Sequence, residues 1–329
     1  MAVHYLETGS TDPCRNLATE QFILENKREG DWLMLWQNAN TVVIGLNQNT
    51  AEEIDQSFVE AHGITVVRRM TGGGAVYHDL GNLNYSFITD LGNAEELSIT
   101  RFTKPVCRAL AALGVRAETS GRNDILVDGK KISGVAQRVF RGRILHHGTL
   151  LFDSDMSMVA GALRVDPAKF QSKSAKSVRS RVGNIKDHLP EGTTLTEFWA
   201  SLLVELTREG LIREQLAETE LAQISRNAED KYRSWDWTYG HSPDYDYRNR
   251  RRWEGGSLEV RLSAHDGCIR QIAFYGDYMA ADSSEDLVRE LIGVRLEADA
   301  LGSVLDRYDL RSLFGGLRRE EILDTILNR

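Results

Sequence analysis

The feature that most restricts this chain is a run of three consecutive glycines, Gly72 to Gly74, inside the stretch RRMTGGGAVYHD (68–79). Glycine can adopt positive φ, and it lets backbone N–H groups approach a bound ligand closely. A β-branched run (64–67) and two arginines precede these glycines, and an aspartate follows them. The pattern is compatible with a cradle for a nucleotide phosphate or a carboxylate. Taken alone, however, three glycines favour a structural hairpin turn.

Composition excludes several classes of function. The 329 residues carry a formal net charge of −8, so we expect no nucleic-acid partner. No apolar stretch reaches the roughly 18 residues of a membrane span, and the start, MAVHYLETGS, lacks the pattern of a signal peptide. Cys14, Cys107 and Cys268 are scattered and show neither metal-ligand nor disulfide spacing. We therefore expect a reduced, cytoplasmic protein without membrane association.

The length suggests two domains. A helix is predicted over 16–27, and the short β-rich runs 32–36 and 41–44 are predicted to form a hairpin-like pair. An aromatic and charged stretch (231–252) is interpreted as a connector. A β-hairpin around Asp266-Gly267 and three helices then predict a small C-terminal α+β unit. We expect domains at residues 1–245 and 246–329.

A second informative stretch is GRND (121–124), followed after an Asp-Gly turn by KISG (131–134). Asp128-Gly129 is a strong hairpin signal. If strand alternation holds, Lys131 and Ser133 face one side and Ile132 the other. An ammonium held on a sheet can bind a carboxylate and a phosphate oxygen together, as acyl-phosphate chemistry requires. Asp124 is either a ligand for Mg²⁺ or the cap of a turn.

The third stretch is RILHHGTLL (143–151). Neighbouring residues on a strand point to opposite faces, so His146 and His147 cannot easily bind one metal ion. We expect one of them to be a packed, hydrogen-bonded histidine and the other to line a pocket. A serine-rich basic loop (171–181) is interpreted either as a solvated surface or as a flap over an anion.

Taken in order, RRMTGGGAVYHDLGNLN, GRNDILVDGKKISGVAQ, HHGTLL and SVRSRVGNI closely resemble the lipoate–protein ligase A family. The resemblance runs from about residue 17 to 189 and continues more loosely to the C-terminus. It implies an α+β fold: a mixed-sheet catalytic domain related to biotin ligases and a small α+β accessory domain. It also implies that ATP and lipoate give lipoyl-AMP, from which the lipoyl group passes to a specific lysine. The acceptors would be lipoyl domains of 2-oxoacid dehydrogenase E2 subunits or the glycine cleavage H protein.

The resemblance also implies roles for individual residues. Lys131 would be catalytic, Asp124 would bind Mg²⁺, and the loop 174–181 would close over the adenylate. ATP or the adenylate would be bound by Arg69, Thr71, Gly74, Ala75, Val76, Tyr77, Asn123, Asp124, Lys131, Lys176 and Arg179. Lipoate would be bound by Leu17, Arg69, Gly73, Gly74, His78, Lys131, Ser133, Gly134 and His147.

Two other functions compete with this interpretation. A cysteine-dependent octanoyl- or lipoyl-transferase moves the acyl group from an acyl-protein without ATP, and it needs an activated thiolate near the site lysine. None of the three cysteines lies near Lys131 in sequence. A lipoate-binding protein without ligase activity is the second competitor. Pyrophosphate release in the presence of ATP and lipoate would distinguish the ligase from both.

Overall fold

The computed structural model describes residues 2–92, 99–120, 123–163, 182–239, 247–265 and 267–327. It gives fourteen strands in these ranges: β1 Val3–Glu7, β2 Asp31–Trp36, β3 Thr41–Ile44, β4 Thr65–Arg68, β5 Val76–His78, β6 Asn82–Asp90, β7 Glu118–Ser120, β8 Asp124–Val127, β9 Lys130–Phe140, β10 Arg143–Leu151, β11 Leu211–Arg213, β12 Tyr247–Trp253, β13 Gly256–His265 and β14 Cys268–Gly276. The α-helices are Pro13–Asn26, Thr50–Glu53, Gln56–Ala61, Ile99–Ala112, Met156–Ala162, Leu195–Leu206, Glu218–Asn227, Trp235–Thr238, Glu285–Leu291, Ala298–Leu305, Leu310–Phe314 and Arg319–Leu327. No helix in the described ranges is long and apolar enough to cross a bilayer.

The strands form one large sheet and two small ones. The large sheet has the order β11-β1-β2-β6-β10-β9-β8-β7, and β1 runs parallel to both of its neighbours. The small sheets have the orders β4-β3-β5 and β12-β13-β14. Mixed sheets with helices packed on them confirm the predicted α+β class.

Strand alternation places two cores on the two faces of the large sheet. In β2, Leu33 and Leu35 pack with the helices Ile99–Ala112 and Leu195–Leu206. Trp32, Met34 and Trp36 point the other way, toward the helix Pro13–Asn26 and the small sheet β4-β3-β5. That helix begins where Asp12 caps the backbone N–H of Cys14 and Pro13 occupies the first turn. The functional site described below lies on this second face.

The C-terminal unit has a core of its own. Its buried apolar residues all lie between Leu258 and Ile326 and include Phe274 and Phe314. The unit also contacts the rest of the chain, because Gly276 N–H donates to Asn47 O (2.7 Å) and Val139 N–H donates to Ala281 O (3.0 Å). A separate core supports the predicted accessory unit, whereas the boundary at 245/246 stays a prediction.

Two sequence predictions about this architecture were wrong. The runs 32–36 and 41–44 do not pair as a hairpin, because β2 lies between β1 and β6 whereas β3 belongs to the small sheet. Both runs are buried along their whole length, in two different sheets. Their periodicity therefore gave no information about which strand each of them would pair with. The second half of the supposed connector is β12, whose inner residues alternate with exposed arginines. By contrast, Asp128-Gly129 does form the predicted hairpin, with positive φ at both residues (49° and 75°).

Candidate functional site

The triple glycine is not a hairpin turn. It connects β4 to β5, and these strands lie on opposite sides of β3 rather than beside each other. The connection must therefore cross the end of β3, which needs a tight and unusual path. Gly73 has a φ of +89°, a conformation that few residues other than glycine adopt. The three glycines thus form a loop over the end of the small sheet.

Arg69 holds this loop in shape. Its Nη2 donates to the carbonyl oxygens of Gly72 (2.7 Å) and Gly74 (2.8 Å), and its Nη1 donates to Val43 O (3.1 Å). Arg69 as a whole residue is 5% exposed. Burial lowers the pKa of Arg69 to about 10, although the carboxylate of Glu20 opposes this shift. Most of the donors of Arg69 are therefore used inside the protein, while part of its side chain still borders the cavity.

The neighbouring Arg68 has a purely structural environment. Its guanidinium donates to the carbonyl oxygens of Gly45, Leu46 and Gln48 and to those of Trp237 and Thr238. These contacts tie the loop after β3 to the helix Trp235–Thr238. The two arginines that look alike in the sequence therefore differ in role, since Arg68 does not line the cavity.

A buried polar chain connects Arg69 to Glu20, a residue that the sequence analysis did not single out. Arg69 Nε donates to Thr71 Oγ1 (2.9 Å), Thr71 Oγ1 lies 2.8 Å from His147 Nε2, and His147 Nδ1 lies 2.8 Å from Glu20 Oε1. A carboxylate only accepts, so His147 carries its proton on Nδ1. Glu20 is fully buried and also accepts from Ser86 Oγ (2.6 Å).

Lys131 and Asp124 form the charged edge of the site. Lys131 Nζ lies 2.7 Å from Asp124 Oδ1, and each side chain is 34% exposed. The ammonium folds back over Gly134, where an added Cβ would come within 2.9 Å of it. Glycine at position 134 is therefore what allows Lys131 to lie over its own strand.

The prediction that Lys131 and Ser133 face the same side was wrong. The β8–β9 register shifts at this point, with Ile125 opposite Ser133 and Leu126 opposite Lys131, so that Ile132 is an extra residue. A bulge of this kind reverses the alternation. Lys131 borders the cavity, whereas Ser133 is completely buried and does not line it.

One cavity collects most of the predicted site residues. Eleven of them line it: Leu17, Arg69, Gly73, Gly74, Ala75, Val76, His78, Asn123, Lys131, Gly134 and His147. Asp124 does not line it but contacts Lys131, and Thr71 lies behind Arg69 and His147. Tyr77 points away, because β5 directs Val76 and His78 to the cavity and Tyr77 to the opposite core, where its hydroxyl donates to Asn40 Oδ1. Lys176, Arg179 and the whole loop 174–181 lie outside the described residues.

Sequence reasoning missed seven lining residues: Trp36, Val43, Asn84, Val135, Ala136, Gly148 and Thr149. They come from five different strands, β2, β3, β6, β9 and β10, so tertiary pairing brings them together. In the β10 stretch, alternation from His147 would have indicated Thr149. The residues of β2 and β3 carried no comparable signal, since those strands are buried on both faces.

The two adjacent histidines divide as predicted. His147 lines the cavity, and His146 packs on the other face against Phe102, with ring centroids 4.7 Å apart, and within hydrogen-bond distance of Gln137. Burial lowers the pKa of His146. None of the three cysteines lines the cavity. Burial raises the pKa of Cys14 to about 11 and also raises that of Cys107, so neither thiol is activated.

The C-terminal unit reaches the edge of this site. Gly73 N–H donates to Tyr278 O (3.2 Å), and Met279 Sδ lies 3.8 Å from Asn123 Nδ2. A Cβ on Gly72 would lie 2.7 Å from Ala280 N, so backbone meets backbone here. The segment 278–280 therefore packs directly on the glycine loop.

Models of two known protein families match the sequence of this chain, one in each of two successive stretches. Residues 12–207 match the model of the lipoyl protein ligase A/B catalytic domain, and residues 242–326 match that of the bacterial lipoate protein ligase C-terminus. This chain belongs to the lipoate-protein ligase family. It is therefore an enzyme, and the resemblance seen in its motifs is confirmed.

Relatives within the family match nearly the whole chain. Lipoate-protein ligase LplJ of Bacillus subtilis is 42% identical over 96% of this chain and 97% of its own length. Lipoate–protein ligase 1 of Staphylococcus aureus is 39% identical over 95% and 96%, respectively.

Solved structures from the family share the fold. LipL1 of P. falciparum in complex with lipoate covers 100% of this chain and 99% of its own, with a TM-score of 0.82 at 22% identity. Lipoate-protein ligase A bound with ATP covers 73% of this chain and 98% of its own, with a TM-score of 0.61 at 27% identity. The lipoate-ligase fold with a C-terminal accessory unit is thus confirmed.

Proposed function

We propose that this chain attaches lipoate to a protein lysine in two steps that consume ATP. The observation that supports this most directly is the polarity of the cavity. The buried residues Leu17, Trp36 and Val43 line it with apolar surface, and the partly exposed Lys131 adds an ammonium to its lining. A molecule with an apolar tail and a carboxylate head fits this arrangement, with its carboxylate at Lys131. The ATP-bound and lipoate-bound relatives support the same pair of substrates.

The first step joins two anions. A carboxylate oxygen of lipoate attacks the α-phosphorus of ATP, the bond to the bridging oxygen breaks, and pyrophosphate leaves with its electron pair. Lys131 concentrates positive charge where the carboxylate and the α-phosphate meet, and the backbone N–H groups of the glycine loop add donors. Gly134 leaves the ammonium room to reach that point.

The second step transfers the acyl group. The uncharged amine of the acceptor lysine attacks the acyl carbon of lipoyl-AMP, an amide forms, AMP leaves, and the amine loses a proton. No nucleophile of this chain is required, in agreement with the raised pKa values of the Cys14 and Cys107 thiols. We infer that the acceptors are lipoyl domains, of E2 subunits or of the glycine cleavage H protein. A structural relative from Thermoplasma acidophilum is described as a bi-partite lipoate protein ligase together with its E2 lipoyl domain.

Asp124 fits the role of a magnesium ligand. In the described ranges no group of three or more His, Cys, Asp or Glu side chains is arranged to hold a metal ion. Magnesium, however, is commonly bound by one or two carboxylates together with substrate phosphates. Asp124 is one partly exposed carboxylate next to Lys131, which is sufficient for such a site. The bound ion would supply positive charge against the phosphates of ATP.

The test compares Lys131→Ala with Lys130→Ala, its exposed neighbour outside the cavity wall. We expect Lys131→Ala to fold normally and to lose pyrophosphate release by about a hundredfold or more, the scale of removing one charge-stabilising donor. Lys130→Ala should stay near wild type. Retained activity in Lys131→Ala would remove its assigned role. Acyl transfer from an octanoyl-protein without ATP would instead favour the transferase.

A further inference from the structure

His78 has a ring nitrogen for which the ligase chemistry described so far has no use. The side chain is 3% exposed and lines the cavity. Its Nδ1 lies 3.1 Å from Asn38 Nδ2, whereas its Nε2 is buried without a hydrogen-bond partner in the described part of the chain. A buried polar nitrogen without a partner is uncommon and calls for an explanation.

The hydrogen bonds around His78 determine which nitrogen carries the proton. Asn16 Nδ2 lies 2.7 Å from Gln37 O and 3.1 Å from Ser10 O, and a carbonyl can only accept. Asn16 Nδ2 is also 2.9 Å from Asn38 Oδ1, so Asn38 presents its oxygen to Asn16 and its NH₂ group to His78. His78 Nδ1 therefore accepts, and the neutral ring carries its proton on Nε2.

The His78 ring stays neutral and lies beside Trp36 on a buried part of the cavity wall. Burial and the nearby Arg69 lower its pKa to about 3. Its ring meets that of Trp36 edge-on, with centroids 6.4 Å apart. Lys131 is 34% exposed and lies on β9, three strands across the large sheet from β2, the strand that carries Trp36. A ligand that has its carboxylate at Lys131 and extends across these strands brings its distal end to the side of the cavity where His78 lies.

We propose that His78 selects for sulfur at the distal end of the acyl chain by donating a hydrogen bond from Nε2 to the dithiolane ring. This inference rests on the proposed function, which sets the orientation of the substrate. Among the atoms of lipoate distant from the carboxylate, only the two sulfurs can accept, although weakly. A saturated hydrocarbon tail would exclude water from the same N–H group without offering it a hydrogen-bond acceptor. A site with a buried donor therefore discriminates against such a ligand.

The experiment compares lipoate with cyclopentylpentanoate, which has the same chain and ring size but no sulfur. Initial rates of pyrophosphate release give kcat/KM for each acid in wild type and in two variants. His78→Asn keeps an acceptor near Nδ1 but is too short to reach the position of Nε2. His78→Gln is long enough to return a donor there. We expect the ratio of kcat/KM for lipoate to kcat/KM for cyclopentylpentanoate to fall about fivefold in His78→Asn, the scale of one weak hydrogen bond. The ratio should recover in His78→Gln.

The outcomes separate this inference from the proposed function. If His78 had only a structural role, its replacement would lower kcat/KM equally for both acids and leave their ratio unchanged. That result would overturn the assignment of His78. No pyrophosphate from either acid in wild type would instead refute the proposed function. If His78→Asn does not fold, wild type still provides a test by NMR. The Nε2–H proton should shift on binding lipoate and shift much less on binding cyclopentylpentanoate, and equal shifts would overturn the inference.

Discussion

Gly72 and Gly74 are equivalent in sequence but not in surroundings, and Gly72→Ala is expected to disrupt the contact between the glycine loop and the C-terminal unit. A Cβ on Gly72 would lie 2.7 Å from Ala280 N and 2.9 Å from Tyr278 O, whereas a Cβ on Gly74 would meet nothing within 4 Å. Neither glycine has a positive φ, so alanine is not excluded by backbone conformation. Gly74→Ala is therefore a matched control.

The magnitude follows from how the clash can be relieved. If the backbones shift, overpacking costs about 1–3 kcal/mol. If the segment detaches instead, the bond from Gly73 N–H to Tyr278 O is lost, at about 1 kcal/mol, together with the packing around it. Replacing glycine by alanine also restricts the unfolded chain, which stabilises a compatible site by about 0.4–1 kcal/mol. We expect the free energy of unfolding of Gly72→Ala to be about 1–3 kcal/mol lower than that of Gly74→Ala.

Urea unfolding of both variants measures this difference in the free energy of unfolding. Hydrogen exchange provides a local readout, because the amides of residues 278–281 should lose protection in Gly72→Ala and keep it in Gly74→Ala. Equal stability together with equal exchange would refute the reasoning, since the clash would then be absent. Equal loss in both variants would mean that the loop itself, and not its contact with the C-terminal unit, had been damaged.

Three further predictions concern buried groups. Glu20→Gln should lower the free energy of unfolding by about 1–3 kcal/mol, because charged hydrogen bonds become neutral ones and Arg69 loses an opposing charge; an unchanged urea midpoint would contradict this. For pH, the unfolded histidine titrates near 6.5, but His78 in the folded chain titrates near 3. The unfolded state therefore binds the additional proton between these values, and stability should fall as pH drops below about 6.5. The contribution is at most about 1.4 kcal/mol per pH unit. Urea unfolding at pH 7 and pH 5 should show a smaller change in the free energy of unfolding in His78→Gln than in wild type. Cys14→Ser should keep adenylation activity but lose stability, since a hydroxyl fits an apolar core poorly; a folded variant without pyrophosphate release would favour the cysteine-dependent transferase.

How much of this was readable from the sequence depended on whether the signal was local. The glycine loop as a possible ligand cradle, Lys131 on a strand after a turn, and the division between His146 and His147 were predicted from neighbouring residues, and the structure brings most of these residues to one cavity. The family followed from the order of the motifs. The Asp-Gly hairpin was also local, because its turn chemistry is contained in two residues.

What the sequence did not reveal depends on tertiary pairing. Glu20 looked like an ordinary helical glutamate until the helix packed against β10 and brought it to His147. The reversed direction of Ser133 comes from one extra residue in β9, which no periodicity displays. The partner of β3 was decided by which layer each apolar run enters, and runs that are buried on both faces carry no directional pattern.

The grip of Arg69 on the glycine loop has a consequence for the thermodynamics of binding. Fixing the backbone of a residue costs roughly 1–2 kcal/mol of conformational entropy, and glycine loses more freedom than other residues. Because Arg69 already holds the carbonyl groups of Gly72 and Gly74, this entropy is lost when the chain folds and not when a ligand binds in the cavity that the loop lines. The loop is thus preorganised, and the free energy of its contacts with a ligand remains available as affinity.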